Sequence, residues 1–409
     1  MMHSTTQELH LNKPVIEAIT PSIDFAQLEE LSLAATSMVQ LVRAQMLAPE
    51  RSKKPPILTS NDVCEIGGIE ITRFRYLYKK HEELPRGNIV GAKREFTVEE
   101  FQTWMRFIRA ERMRDASKCA AVTIAVTNFK GGVTKTTTAA TLAHGLSLRG
   151  HRVLLVDLDP QGSLSTLFDI LPDLDVEVDK TVTPIYSGDA TDIMPSVQQT
   201  YWHGIDLVAA SPSLHNSEFM LPARQRSEAG FQFWRCLDAA MDTARDAYDV
   251  IILDSPPSLS YTTINALMAA DGLLMPLPPS ALDFASSAQF WSLLVDLITG
   301  LPEQDGGKKF SFIDVLLSKV DPSVGVTSSV REWIVNAYGA KVMPIEIPKT
   351  SIADTASAAF GTVYDLPPGS VAAKTLRRAK LAYEEMVSHV EKQIEGVWLS
   401  QAQNAGGQA

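Results

Sequence analysis

From Ala120 onward the chain alternates short apolar runs with longer amphipathic stretches. The runs are "AVTIAVTNF", "HRVLLVDLD", "IDLVAA", "YDVIILD", "DGLLMPL", "FIDVLLSKV" and "KVMPIEI". Unbroken runs this short, rich in Val, Ile and Leu, belong to strands buried on both faces. Helical stretches between them predict a mostly parallel sheet covered by helices on both sides. Lys135 to Arg149 reads as an alanine-rich helix. "SVAAKTLRRAKLAYEEMVSHVEKQI" reads as an amphipathic one, and "SQAQNAGGQA" after it as a disordered tail.

The pattern before Ala120 is different. Phe25, Leu28, Leu31, Leu33, Met38, Leu41, Val42 and Met46 recur in a way that predicts one helix from about Ser22 to Ala48. The Pro- and Lys-rich "APERSKKPP" isolates this stripe, which is expected to pair with a second copy of itself or to pack on its own neighbouring domain. Thr59 or Ser60 can cap a short helix that stops at Gly67-Gly68. A second helix, Glu70 to about His81, carries Arg73, Arg75, Lys79 and Lys80. "LPRGNIVGAKREFT" has the turn chemistry of a short β-wing, with Lys93 and Arg94 at its basic tip. "TVEEFQTWMRFIRAERMR" opens with a capping box, Thr97 to Glu100, and continues as a helix. Helix, glycine turn, basic helix and basic wing describe a winged helix-turn-helix, similar to the DNA-binding domains of the MerR-like class. Such folds lay the second helix in the major groove and rest the wing on the backbone. A helical linker domain without a nucleic-acid role is the plain alternative.

Charge supports the first reading only once its distribution is seen. The net charge of −11 discourages nucleic-acid binding. Yet Arg51 to Lys118 holds fifteen Lys/Arg against ten Asp/Glu, so that block is +5 and the remainder −16. A basic block in an acidic chain suggests a separate module with an anionic partner, although a solvated face would look the same. At 409 residues the chain has room for about two or three domains. No apolar run approaches the length that spans a bilayer, and "MMHSTTQELHLNKP" lacks the features of a signal peptide. Cys64, Cys119 and Cys236 stand far apart, which points to a reducing cytoplasm and away from a structural zinc or iron–sulfur site.

"VTNFKGGVTKTTT", Val126 to Thr138, joins the first buried strand to a helix. A phosphate belongs there, because free backbone N–H groups and the helix dipole favour an anion. The ordinary P-loop signature, G-x-x-x-x-G-K-[ST], fails at Phe129 and Thr134. Gly131 and Gly132 still allow close approach to phosphate, Lys135 supplies positive charge, and Thr136 offers a hydroxyl for Mg2+. A Lys-Gly turn that merely caps a helix is the bland reading. Two acidic strand ends weigh against it: "VLLVDLDPQG" places Asp157 and Asp159 at the carboxyl end of a strand, and "DVIILDSPPS" ends a buried strand in Asp254.

"KGGVTKTTT", "VDLDPQGSLSTLF" and "VIILDSPPS" resemble the deviant Walker A, Walker A′ and Walker B motifs of ParA-family ATPases. "PLPPSALDFASSAQF" and "IPKTSIADTASAAFGTVYD" resemble later segments of the family, over roughly Val122 to Glu395. The N-terminal helix and winged region resemble its larger, type Ia subgroup, whose members segregate low-copy plasmids and repress their own operon. The resemblance implies a P-loop NTPase fold, ATP and Mg2+ as cofactors, and weak, partner-stimulated ATP hydrolysis. It implies that Lys130 reaches the nucleotide of the opposite subunit, with Lys135 as the P-loop lysine. Lys130, Gly131, Gly132, Val133, Thr134, Lys135, Thr136 and Thr137 would cradle the nucleotide. Thr136 would bind the metal, Asp157 would lie near its shell, and Asp254 would act on it through water. Asp159 would position or activate the attacking water. Most of the family has glycine where this chain has Thr134, a β-branched residue that narrows the allowed backbone.

The implied partners are a second copy of the chain, a ParB-like centromere-binding protein, operator DNA through the winged region, and non-specific DNA through the ATP-bound dimer. Lys374, Arg377, Arg378 and Lys380 of "KTLRRAK", with Arg331 and Lys349, are candidates for the non-specific contact, against the plain reading of a solvated helix face. The expected organisation is an arm at 1–50, a winged helix-turn-helix at 51–118, the ATPase at 119–396 and a disordered tail at 397–409. No membrane contact is expected; the location is cytoplasmic and nucleoid-associated. Alternatives are a repressor that uses nucleotide only as a switch and a MinD-like positioning ATPase. The latter calls for a C-terminal basic amphipathic membrane helix, of which "SHVEKQIEGVWLSQAQNAGGQA" is a poor example.

Overall fold

The computed structural model describes residues 23–46, 53–172, 174–301, 307–321, 323, 325–349, 361–366 and 372–406. The readings for residues 1–22, 47–52 and 350–360, and for the last three residues of the tail, lie outside these. Met1–Lys53 and Lys54–Ala409 form two compact units. The first contributes helix α1 (Phe25–Met46), close to its expected span. Its apolar residues Phe25, Leu28, Leu31, Leu33, Met38 and Leu41 are exposed.

The second unit begins with β1 (Leu58–Thr59), α2 (Ser60–Gly67), α3 (Ile71–Lys80), β2 (Asn88–Val90), β3 (Lys93–Phe96) and α4 (Val98–Ile108). Capping explains the boundaries. Thr59 closes a capping box with Asp62, Gly68 ends α2 in the left-handed conformation, and Thr97 closes the expected box with Glu100. The three short strands pair in the order β1-β3-β2. Phe74, Phe96 and Trp104 form the local core, with Trp104 Nε1 donating to Pro85 O at 3.0 Å.

The remainder runs β4 (Val122–Val126), α5 (Lys135–Leu148), β5 (Val153–Asp157), α6 (Ser163–Leu167), α7 (Thr183–Ser187), β6 (Gln198–Gln199) and β7 (Ile205–Val208). Then come α8 (Ser217–Ser227), α9 (Cys236–Ala240), α10 (Asp242–Ala247), β8 (Val250–Asp254), α11 (Tyr261–Ala269) and β9 (Gly272–Leu277). Last are α12 (Ala281–Gly300), β10 (Phe312–Val320), α13 (Gly325–Tyr338), β11 (Val342–Pro348) and α14 (Ala373–Gly406). One sheet orders the strands β11-β10-β9-β4-β8-β5-β7-β6, parallel except for the β6–β7 edge. Each apolar run from the sequence supplies a strand; β6 is only two residues of Gln, without apolar signal.

Strand residues alternate between two cores, as the pleat requires. Ile124, Leu155, Ile252 and Leu274 face α5 and α14, whereas Ala125, Val156, Leu253 and Met275 face the helices of the other layer. The first core does not stop at the sheet. Phe74, Phe96, Phe101, Trp104 and Met105 of the winged region belong to the same buried cluster as Leu142, Leu146 and Val387.

Polar contacts reinforce that seam. Gln102 Nε2 donates to Ser147 Oγ at 2.5 Å and to His203 O at 2.8 Å, and Arg106 Nε donates to Gly150 O at 2.8 Å. Arg109 grips both oxygens of Glu391 on α14 at 2.8 and 2.7 Å. Arg114 then fixes the connection to β4, donating to Asp249 and to the carbonyls of Cys119, Arg245 and Asp246. The basic block is therefore no free-standing module: it is packed along the end of α5.

The tail expected from residue 397 is helical through Gly406. Trp398 is buried and donates from Nε1 to Ala120 O, while Gln401 Oε1 accepts from Ala120 N. The apolar Val397 and Trp398 carried this signal, but the Gly-rich end masked it.

Candidate nucleotide site

β4, β8 and β5 lie side by side, in register so that Val126 is level with Asp254 and Asp254 with Asp157. The loop after β4 and two acidic strand ends thus meet at one carboxyl edge of the sheet, where parallel α/β folds place ligands.

Asn128 shapes the loop: its Nδ2 donates to Pro276 O at 3.0 Å while its Oδ1 accepts from Lys130 N at 3.1 Å. Phe129 packs on Phe290, ring centroids 4.6 Å apart, which explains an aromatic residue where the ordinary signature has glycine. From β10, Ser318 Oγ donates to Val133 O and Lys319 Nζ to Gly132 O. Gly131 and Gly132 are exposed and Val133 is buried; Thr136 and Thr137 are half-buried in the first turn of α5. Lys130 Nζ pairs with Asp283 Oδ1 at 2.6 Å, in the first turn of α12. Lys135 is buried, and its Nζ donates to Lys130 O at 2.9 Å. Burial lowers its pKa, opposed by the charges of Asp254 and Asp159.

Thr134 caps α5 with φ 77°, left-handed, and makes no side-chain capping bond. This conformation costs an L-residue about 1–2 kcal/mol, and glycine avoids it at some cost in chain entropy. Thr134→Gly is therefore expected to stabilise the nucleotide-free chain by about 0.5–1 kcal/mol, measured as a higher melting temperature. A lower one would mean that the contact of its hydroxyl with Thr138, 3.5 Å away, outweighs the strain.

The carboxylates differ. Asp157 accepts from Ser165 N and Oγ, both at 2.8 Å, and from Asp159 N at 3.2 Å. Burial lifts its carboxyl to about 7, with the Ser165 bonds opposing and the Asp159 charge adding. Asp254 is also buried, but neither of its oxygens has a well-aligned hydrogen-bond partner among the described residues. Burial raises it well above the carboxylate range and the Asp157 charge adds, while Thr136 and Lys135 oppose. A buried carboxylate with no well-aligned donor, beside a threonine hydroxyl, fits a hydrated divalent cation, which would complete its hydrogen bonding. Asp159 is half-buried and accepts from Gln161 N at 3.0 Å.

The loop residues, Asp157, Asp159 and Asp254 are thus brought together. Sequence reasoning missed Asn128, Ser165, Asp283, Ser318 and Lys319. Asp283 lies in a segment already matched to the family, and Asn128 in the loop itself; Ser318 and Lys319 gave no signal, because β10 is remote in sequence.

The basic candidates scatter. Arg73, Arg75, Lys79, Lys80 and Lys93 are exposed on α3 and the wing. Arg94 is half-buried, its guanidinium 4.5 Å from the Tyr78 ring centroid and donating to Arg86 O, so it holds the wing in place. Lys374, Arg377 and Arg378 are exposed at the start of α14, Lys380 lies over Tyr364, and Arg331 is paired with Glu346. Lys349 follows the end of β11, its backbone N–H bonded to Val320 O.

A family model described as an AAA domain matches residues 121–301. The protein SopA of Escherichia coli K12 is 32% identical over 277 residues, 66% of this chain and 69% of SopA. The chromosome partitioning protein ParA of Myxococcus xanthus is 31% identical over 228 residues, 55% of this chain and 75% of that protein. The chain belongs to the ParA family of partition ATPases. A structure described as a partition protein matches with TM-score 0.59 at 17% identity, covering 92% of this chain and 99% of its own, and so supports the ParA-family fold well beyond the sheet. Cobyrinic acid a,c-diamide synthase from Mycobacterium smegmatis, with bound ATP analogue and magnesium, matches with TM-score 0.51 at 29% identity over 66% of this chain and 93% of that one.

Proposed function

We propose that this ParA-family chain is the ATPase of a plasmid or secondary-replicon partition system, binding ATP with Mg2+ at the loop after β4. The observation that carries the reading is the level alignment of the loop, Asp254 and Asp157 across three adjacent parallel strands. Residues 130–137 wrap the phosphates, with Lys135 released from the Lys130 carbonyl to meet the β- and γ-phosphate charge. Bound Mg2+, held by Thr136 and through water by Asp254, would neutralise charge on the phosphate oxygens. Asp159, half-buried and less desolvated than its neighbours, orients the attacking water. Lys130 leaves Asp283 and reaches the nucleotide of a second copy, so ATP binding and dimer formation are coupled. The ATP-bound dimer coats non-specific DNA, and a ParB-like partner stimulates hydrolysis and release. Through α3 and the wing, the same chain binds its operator and represses its operon.

Asp159→Ala tests the hydrolytic step. The variant is expected to retain ATP-dependent binding to non-specific duplex DNA while hydrolysis falls by about 100-fold or more, so that it stays on the DNA. ATP turnover close to wild type in single-turnover assays would remove Asp159 from the chemistry.

A further inference from the structure

Of the three non-glycine residues with positive φ among the described residues, two lie in the nucleotide loop or touch it: Thr134 at 77° and Lys319 at 52°. Lys319 stands near the end of β10, inside a strand rather than in a turn. β10 pairs with β9 only as far as Leu317, opposite Leu277, and its register against β11 shifts between Leu317 and Val320. Lys349 N donates to Val320 O at 2.9 Å and fixes the far side of this irregularity. Ser318 and Lys319 thus stand at a bulge, the device by which a strand re-aims side chains next to a site.

Both side chains are aimed at the loop. Lys319 Nζ donates to Gly132 O at 2.7 Å, and the buried Ser318 donates from Oγ to Val133 O at 3.2 Å. Two consecutive carbonyls are held from one strand. In a trans peptide the C=O of one residue and the N–H of the next point in opposite directions. Holding Gly132 O and Val133 O toward β10 therefore turns the N–H groups of Val133 and Thr134 away from it. Neither N–H has a partner among the described residues.

A lysine that was merely solvated would need no strained backbone. Strain of this kind persists only where the surrounding structure imposes it, and it gathers at functional sites. Lys319 is exposed, and the hydrogen bond of an exposed ammonium adds little to the stability of a fold. Its value lies in what it does to the loop. N–H groups fixed before a ligand arrives need not be ordered on binding, which strengthens the binding of an anion. Gly132 and Thr134, both left-handed, curve the chain on either side of Val133 in the same sense.

We propose that Ser318 and Lys319 are positioning residues for the nucleotide: from the bulge in β10 they clamp two loop carbonyls and so preset the Val133 and Thr134 N–H groups for a phosphate that ATP and ADP share. The clamp rests on the nucleotide reading above. Each side chain acts through the loop backbone rather than by touching the ligand. Strain in β10 is exchanged for order in the loop.

The test compares the full-length wild-type chain with Lys319→Met, Lys319→Gly and Ser318→Ala. Calorimetric titration with ADP and with a non-hydrolysable ATP analogue, both with Mg2+, gives affinity; thermal melts without nucleotide give stability; steady-state turnover gives kcat and KM. Lys319→Met keeps the aliphatic stem and removes the donor. It is expected to weaken ADP and the ATP analogue alike by about tenfold, raising KM while kcat at saturating ATP stays within about twofold. Ser318→Ala is expected to act in the same way, by about threefold. Lys319→Gly removes the clamp and the strain together, so its affinity should fall as in Lys319→Met while its melting temperature stays at or above that of the wild type. Unchanged ADP affinity in Lys319→Met overturns the clamp alone. A loss confined to the ATP analogue would make Lys319 a direct contact of the terminal phosphate and overturns the clamp as well. A fall in melting temperature that tracks the loss of affinity in both Lys319 variants would assign the residue to the general stability of the fold, with the same consequence. A wild-type chain that binds neither nucleotide overturns the nucleotide reading and the clamp with it.

Discussion

Lys135→Ala is expected to abolish ATP-dependent DNA binding and to lower ATP turnover by more than about 100-fold, about 2.7 kcal/mol of lost stabilisation. Lys135 is the one buried ammonium in the loop, held between a loop carbonyl and the acidic strand ends. Its charge faces Asp254 and Asp159 in the nucleotide-free chain, so removing it affects two states in opposite ways. The empty site loses a buried cation, whose desolvation was unfavourable, and the chain is expected to keep its fold. The loaded site loses its main countercharge for phosphate oxygens and leaves Asp254 facing them. Equilibrium binding of a fluorescent ATP analogue and a thermal melt, measured on the same preparation, separate the effects. Nucleotide affinity near wild type would sink the proposed site; a collapsed melt would show that Lys135 is structural.

The largest expected loss of stability comes from a residue outside that site. Glu391, on α14, is 1% exposed and takes Arg109 on both oxygens, His151 at 2.8 Å, and Arg149 at 3.5 Å. Glu391→Ala leaves buried cationic groups without their counterion, a change worth about 3–5 kcal/mol. Burial alone would raise its pKa, but hydrogen bonds from His151 and Arg109 overcome that and hold it at about 2, against an ordinary 4.5. Because the folded value is the lower one, the carboxylate stabilises the fold fully above about pH 4.5 and loses that contribution as pH falls toward 2. The wild-type chain should therefore lose stability on acidification through that window more steeply than Glu391→Ala. Urea unfolding at neutral pH and at pH 3.5 measures both effects, the pH values being chosen to lie about on either side of the ordinary carboxylate range. Equal pH dependence in the two proteins would contradict the assignment.

The strands of the ATPase sheet and the Thr97–Glu100 capping box were legible from sequence because their signals are local: apolar runs, and Thr with an acidic residue three positions on; before α2 the same signal gave only a cap at Thr59 or Ser60, not the box with Asp62. The phosphate loop was legible for the same reason. What escaped notice depends on contacts between distant segments. The pairing of Lys130 with Asp283 spans most of the fold between β4 and α12, and Ser318 and Lys319 reach the loop from another strand. Thr134 stood out in the sequence as a β-branched residue where most of the resembling family has glycine, with a narrowed backbone; the structure adds that the backbone there is left-handed. The charge block at 51–118 suggested independence, because net charge does not reveal that Phe101, Trp104 and Met105 are buried against α5.

That shared core decides how the molecule can be taken apart. A fragment beginning at residue 119 would strip Arg109 from Glu391 and Gln102 from Ser147, and bare the apolar end of α5 to water. A protease would find no hinge between Lys118 and Val122 while Arg114 and Trp398 clamp the chain there. Lys54–Ala409 should melt in one cooperative step, and the region of α2 to α4 cannot be grafted onto another ATPase without the end of the helix that carries the phosphate loop.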